Sequence, residues 1–150
     1  MRVVIQRVKY AEVIIDGKEK KYSGRGLMIL LGIENADEIN DVRWLVNKIL
    51  NLRIFNDNKG VMNHSLLDIR GELMIISQFT LMAKTKKGNR PSYIRAACHE
   101  HAIPLYNSFI EYSQKFLTKP VVSGKFGSDM QIELINDGPV TIWIDSKNRE

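Results

Sequence analysis

Polar and apolar residues alternate at period two from Val3 to Val8 and again from Glu12 to Ile15. That pattern predicts strands with one face turned to a core. Asp16-Gly17 follows as a hairpin turn signal, because both residue types tolerate left-handed backbone. Ser23-Gly24-Arg25-Gly26 reads as a loop, and the apolar run from Leu27 to Ile33 as a buried strand. Asn35-Ala36-Asp37-Glu38 resembles a capping box, an acceptor side chain followed three residues later by a glutamate. Behind it Ile39, Val42, Val46, Ile49 and Leu50 recur at helical spacing, which predicts an amphipathic helix over residues 36–52. Arg53-Ile54-Phe55 is extended, Asn56 to Gly60 is a turn, and Glu72 to Ser77 is a strand entered through Arg70-Gly71.

A second helical face runs from Ile103 through Tyr106, Phe109 and Ser113 to Leu117. Proline is tolerated in the first turn of a helix, so Pro104 places the start near Glu100. Val121-Val122, Met130 to Ile135 and Val140 to Ile144 close the chain as strands, with Asn136 to Thr141 as a tight connection. The order is strands, helix, strands, helix, strands. It predicts one α+β domain over residues 1–150, with a mainly antiparallel sheet and two main helices.

The chain has 150 residues, 44% of them hydrophobic and 26% charged, as expected of one globular domain. Its longest apolar run, Leu27 to Leu31, is far short of the roughly 20 residues a membrane span needs. The first residues lack the apolar core of a signal peptide, and a lone Cys98 fits a reducing compartment. A cytoplasmic protein is expected. The net charge of +5 is concentrated: Lys84, Lys86, Lys87, Arg90 and Arg95 stand in one acid-free segment, and the rest of the chain is neutral. A charge run by itself is a solvated face. Clustered cations also suit a phosphate backbone, whose counterions they release.

Conventional chemistries find little support. Metal sites need clustered His, Cys or carboxylate ligands, and His64, His99 and His101 are expected to be solvated surface residues. No Gly-x-Ser-x-Gly elbow is present, and Gly24-Arg25-Gly26 is too short for a nucleotide fingerprint. Cys98 is expected to pack as a small hydrophobe. No cofactor and no metal are expected. Two segments stand out. Ser77-Gln78-Phe79-Thr80-Leu81 puts two hydroxyls and an amide at the end of a buried strand, as edge hydrogen bonds or as the wall of a small polar pocket. Asn136-Asp137-Gly138-Pro139-Val140-Thr141 is either a simple turn or the site of a cis bond, since X-Pro bonds favour trans by only about 0.5–1 kcal/mol.

At these two segments the chain closely resembles the D-aminoacyl-tRNA deacylase family, whose signatures read Ser-Gln-Phe-Thr-Leu and Asn-x-Gly-Pro-x-Thr. Met1 to Val8, Leu50 to Phe55, Lys87 to Ser92, Phe126-Gly127 and Asp129-Met130-Gln131 match as well, in order along the whole chain. His64, Tyr93 and Cys98 depart from the family pattern, and none lies in a signature. The resemblance implies a barrel-like deacylase fold and a homodimer with its active site at the subunit interface. The substrates it implies are D-aminoacyl-tRNA and glycyl-tRNA. Gly138-Pro139, in cis, would be a chiral filter acting through main-chain carbonyls, oriented by Arg7. Ser77, Gln78, Phe79 and Thr80 would form the floor and oxyanion edge of the pocket, with Thr80 either a nucleophile or a lining residue. Met130 would line that pocket or pack in the core. Lys84, Lys86, Lys87 and Arg90 would bind the acceptor end of tRNA. A basic tRNA-binding module without catalysis is the alternative, and a small-molecule esterase a third.

Overall fold

The computed structural model describes residues 1–150 and is organised by one strand, β1 (Arg2–Ile15). Its alternating side chains Val3, Ile5, Val8, Ala11, Val13 and Ile15 are all buried. The two alternating stretches of the sequence are therefore one strand of 14 residues. The Asp16-Gly17 turn forms as expected, with left-handed φ of 50° and 66°, and returns the chain as β2 (Glu19–Ser23). One edge of β1 carries β3 (Gly26–Gly32) along Arg2 to Val8 and β2 along Ala11 to Ile15. The other edge is taken along its length by β8 (Met130–Asp145), also antiparallel. Beyond β3 lie β6 (Glu72–Ser77) and β7 (Val122–Ser123), both paired in parallel. The sheet is thus mixed rather than purely antiparallel. It curls into a nearly closed barrel in which Lys21 Nζ on β2 donates to the Ser123 carbonyl on β7 at 3.1 Å.

The helices α1 (Ile39–Asn51) and α2 (His99–Gln114) pack on one another and close the larger core, around Leu45, Phe55, Leu66 and Phe109. A small hairpin of β4 (Phe55–Asn56) and β5 (Met62–His64) lies between them in sequence. The expected cap of α1 is displaced. Instead of an Asn35–Glu38 box, the Asp37 carboxylate between them accepts from the Met1 ammonium and from the Glu34 amide. Residues 35–38 therefore turn, and the helix opens with a Glu38–Asp41 box in which the Glu38 amide donates to Asp41 Oδ2 at 2.9 Å. Pro104 also differs from expectation, since it sits in the second turn of α2. It is exposed there, so water can satisfy the carbonyl that its missing N–H leaves open.

The connection expected at Asn136–Thr141 is not a turn between two strands. Within β8, Asn136 pairs with Val8 and Thr141 with Gln6, so four residues, Asp137 to Val140, stand against Arg7 alone. This is an enlarged bulge on an unbroken strand. Every peptide bond in the chain is trans, including Gly138–Pro139, which corrects the cis expectation. Both residues are exposed, and the bond takes the isomer that an X-Pro peptide ordinarily favours.

The two chain ends are tied at the start of α1. Ser146 Oγ accepts from the Met1 ammonium at 2.8 Å and donates to Asp41 Oδ1 at 2.7 Å, while Lys147 Nζ reaches Asp41 Oδ2 at 2.8 Å. Arg2 Nε holds Asp145 at 2.9 Å. Burial pushes the Asp41 and Asp145 carboxyls up, but the hydrogen bonds they accept outweigh it and leave both below the ordinary range. A lowered folded-state pKa contributes stability that is full above the unfolded value and fades as pH falls through the folded one. Unfolding by urea should therefore become easier below about pH 4. Asp41→Asn should cost about 1–3 kcal/mol at neutral pH and flatten that acid dependence.

Candidate active site

Parallel pairing makes β3 and β6 end together, with Leu31 opposite Ser77. The Gln78 amide donates to the Leu31 carbonyl at 2.8 Å, and the chain then folds into a 3-10 turn over Phe79–Met82. Gly32 permits this turn, because a Cβ there would stand 2.9 Å from Leu81 Cβ and 3.0 Å from the Gln78 carbonyl. The strand end forms one wall of a pocket of about 470 Å³. Ser77, Gln78 and Phe79 line that wall. Other walls come from the start of α2, with His99 and Ala102, and from the segment leading into β8, with Phe126 and Met130. Most of the lining is apolar, and His99 is the only titratable side chain in it.

Of the expected site residues, Ser77, Gln78, Phe79 and Met130 thus share one cavity. Thr80 lies beside it, half-buried, its Oγ1 accepting from Gln78 Nε2 at 2.5 Å. No histidine or carboxylate is hydrogen-bonded to that hydroxyl. Phe79 is 56% exposed and meets the Tyr93 ring edge-on at 5.0 Å. Behind the pocket, the Tyr106 hydroxyl donates to the Ile75 carbonyl at 2.8 Å. Burial pushes that phenol well above its ordinary range, so it is a fixed neutral donor.

The basic segment leaves the pocket wall and comes back to it. It starts after Met82, is closed by paired backbone hydrogen bonds between Lys84 and Ser92, and returns through Ala96 and Ala97, which line the cavity. Lys84, Lys86, Lys87 and Arg90 are exposed, and none has a carboxylate partner. Arg95 differs: its guanidinium holds Glu34 at 2.6 and 3.1 Å.

Arg7, Gly138 and Pro139 do not line this cavity. They form a second locus on β1 and β8. Arg7 is buried, donating through Nε to the Asp137 carbonyl at 3.0 Å and through Nη1 to the Ile54 carbonyl. It therefore fixes the peptide entering Gly138. Gly138 has φ of 107°, and a Cβ there would overlap the Arg7 guanidinium. Asn136 and Thr141 close the bulge with a 3.0 Å side-chain hydrogen bond.

Sequence reasoning missed His99 and Phe126. His99 is exposed, as expected of it, and also lines the cavity, its ring edge-on to Phe126 at 5.5 Å. Cys98 does not pack inside; it is exposed at the N-cap of α2. His101 turns away, its Nε2 lying 3.0 Å from the Asp37 carbonyl. No three His, Cys, Asp or Glu side chains gather as metal ligands do, and no helix is long and apolar enough to cross a membrane. Gly138→Ala should lower the thermal midpoint, because left-handed backbone costs an L-residue about 1–2 kcal/mol before the overlap with Arg7 is counted. An unchanged midpoint would mean that the bulge is loosely held.

The family model described as D-Tyr-tRNA(Tyr) deacylase matches residues 4–145. Proteins called D-aminoacyl-tRNA deacylase from Azobacteroides pseudotrichonymphae and Bacteroides fragilis are 61% and 58% identical to this chain, over 100% of both lengths. A solved structure described as c-Myc DNA Unwinding Element Binding Protein superposes with a TM-score of 0.90 at 41% identity, covering 97% of this chain and 98% of the other. A second, described as a probable eukaryotic D-amino acid tRNA deacylase, gives 0.82 at 19% identity over 95% and 97%, a likeness of fold. With the family model spanning nearly the whole fold and relatives this similar end to end, the chain belongs to the D-Tyr-tRNA(Tyr) deacylase family.

Proposed function

We propose that this chain hydrolyses the ester between a D-amino acid and the 3′ end of tRNA, freeing both. It is a hydrolase of its family, a D-aminoacyl-tRNA deacylase. Glycyl-tRNA is its second substrate, L-aminoacyl-tRNA is rejected, and its place of work is the cytoplasm, where charged tRNA is found. One observation carries the reading: an apolar pocket with a hydroxyl-and-amide wall opens beside a loop bearing four unpaired cations. A phosphate backbone on the loop brings its terminal ester to that wall. A binding module without catalysis would need the loop and not the pocket.

The wall acts by position. The amides of Phe79 and Thr80 open a helical turn, where N–H groups have no acceptor within the turn. Aimed at the ester carbonyl, they stabilise the oxyanion as water attacks. Thr80 contributes its place rather than a nucleophile, and the free hydroxyl of the terminal ribose assists the water. Lys84, Lys86, Lys87 and Arg90 hold the acceptor end.

Chirality is set by a second protomer. Gly138 and Pro139 are exposed and outside their own chain's pocket, on a strand that has a partner along one side only. In a homodimer the Gly138-Pro139 main chain of one protomer closes the pocket of the other. An L side chain would strike that backbone, a D side chain points away, and glycine has nothing to strike with.

Incubation with D-Tyr-tRNA and L-Tyr-tRNA tests the reading: only the first should lose its amino acid, and equal stability of both would refute it. Thr80→Ala should retain much of the single-turnover rate, whereas replacing the terminal 2′-hydroxyl with hydrogen should cost more. A trapped acyl-enzyme would reverse that assignment. Alanine at Lys84, Lys86 and Lys87 should weaken tRNA binding and reduce the salt slope by roughly one for each lysine that pairs with a phosphate.

A further inference from the structure

The Phe79 and Thr80 amides sit on a single 3-10 turn, Phe79–Met82, which is too short to hold its own direction. That direction is set by what the turn touches. At its start the Gln78 amide donates to the Leu31 carbonyl at 2.8 Å. At its end Met82 is fully buried, which fixes depth but not orientation, because apolar packing is non-directional. A third anchor comes from outside the site: Arg2 Nη1 donates to the Leu81 carbonyl at 3.1 Å. The turn leaves that carbonyl open, since the Lys84 amide that would reach it in a longer helix is bonded to Ser92 instead. Two anchors define an axis about which the turn could rock, and the third stops it.

Arg2 is itself fixed. It pairs with Gly32 on β3 and with Asp145 on β8, so its side chain projects on the face where Gly32 seats the turn. Its Nε holds Asp145 Oδ2 at 2.9 Å, and its guanidinium lies 6.0 Å from the centre of the Trp143 ring. Burial pushes the Asp145 carboxyl up, but the hydrogen bonds from Arg2 and the Lys147 amide leave it below its ordinary range. Arg2 does not line the pocket.

We propose that Arg2 is a positioning residue for deacylation: bridging Asp145 and the Leu81 carbonyl, it holds the turn so that the Phe79 and Thr80 amides face the ester carbonyl. This rests on the deacylase reading and adds to it a residue outside the pocket. The plainer role for Arg2 is to tie the chain ends, as Ser146 and Lys147 do through Asp41. The two roles move different quantities. A loosened chain end lowers the thermal midpoint, whereas donors displaced by about 1 Å forfeit on the order of 10²-fold in rate. The basic loop holds the RNA in either case.

The test measures single-turnover hydrolysis of D-Tyr-tRNA over a range of enzyme concentrations for the wild type, Arg2→Ala, Arg2→Lys and Asp41→Asn. Thermal midpoint and sedimentation mass are taken alongside. Arg2→Ala should lower the saturating rate about 10- to 100-fold, with half-saturation within about threefold of the wild type and mass unchanged. Arg2→Lys keeps the charge and the stem but not the fork that spans both partners, and its rate should fall between. Asp41→Asn, which loosens the same chain ends without touching the turn, should lower the midpoint and keep the wild-type rate. Three results would overturn the role: Arg2 variants with the wild-type saturating rate, an Asp41→Asn variant that loses as much rate as they do, or a rate loss that comes only with a smaller sedimentation mass. Should the alanine variant not fold, the lysine variant decides by the same measures. Failure of the wild type to act on D-Tyr-tRNA removes the deacylase reading as well, and that control tells the two failures apart.

Discussion

The buried guanidinium of Arg7 is the constraint around which the sheet is built. A cation taken out of water in the middle of β1 is tolerable only if its donors find fixed acceptors. Regular pairing cannot supply them, because ladder carbonyls already serve the neighbouring strand. The bulge of four residues opposite Arg7 does: it swings the Asp137 carbonyl in toward Nε, while the Ile54 carbonyl, on the chain leaving α1, takes Nη1. One side chain thus ties β1, β8 and the exit of α1 together. Its position also explains Gly138, since only a residue without Cβ can pass that close to the guanidinium.

The pocket arises from a different rule. β3 and β6 run parallel, so their ends coincide and their last amides must find partners beyond the sheet. The chain answers with a tight 3-10 turn seated on Gly32, which leaves Ser77 to Phe79 as a polar ledge over an apolar floor. α2 and the segment before β8 wall in the rest. Three stretches distant in sequence meet there, and the basic loop is an excursion between two of them.

This division decides what could be read from the chain alone. Period-two alternation in β1 and helical spacing in α1 were legible because each element buries a single face. The ledge and the bulge were legible as unusual sequences, polar groups at the end of a buried strand and Gly-Pro beside a strand. Their geometry was not. The bulge is set by Arg7, some 130 residues earlier in the chain, and the start of α1 by the Met1 ammonium, which recruits Asp37. The place of His99 in the cavity was hidden for the same reason, since nothing around position 99 in the sequence announces Phe126 as its neighbour.

β8 is the edge along which the proposed second protomer would dock. A 16-residue strand paired on one side only presents a row of open backbone groups, which natural sheets cover or disrupt. This one is disrupted by its bulge, yet Val140 at the end of the bulge and Ile142 and Ile144 beyond it remain half-buried although they pack on the main core. Ile135 and Trp143, on the other face of the strand, are 45% and 49% exposed. That combination of open edge and uncovered apolar side chains is what the proposed second protomer would bury. The largest excursion of β8 from the ladder, Asp137 to Val140, carries the Gly138-Pro139 main chain, so a copy docking along this edge would meet that backbone. The proposed chirality sensing by peptide atoms would rest on the Arg7 constraint, because a peptide fixed by a buried cation is a wall that no change of rotamer can move.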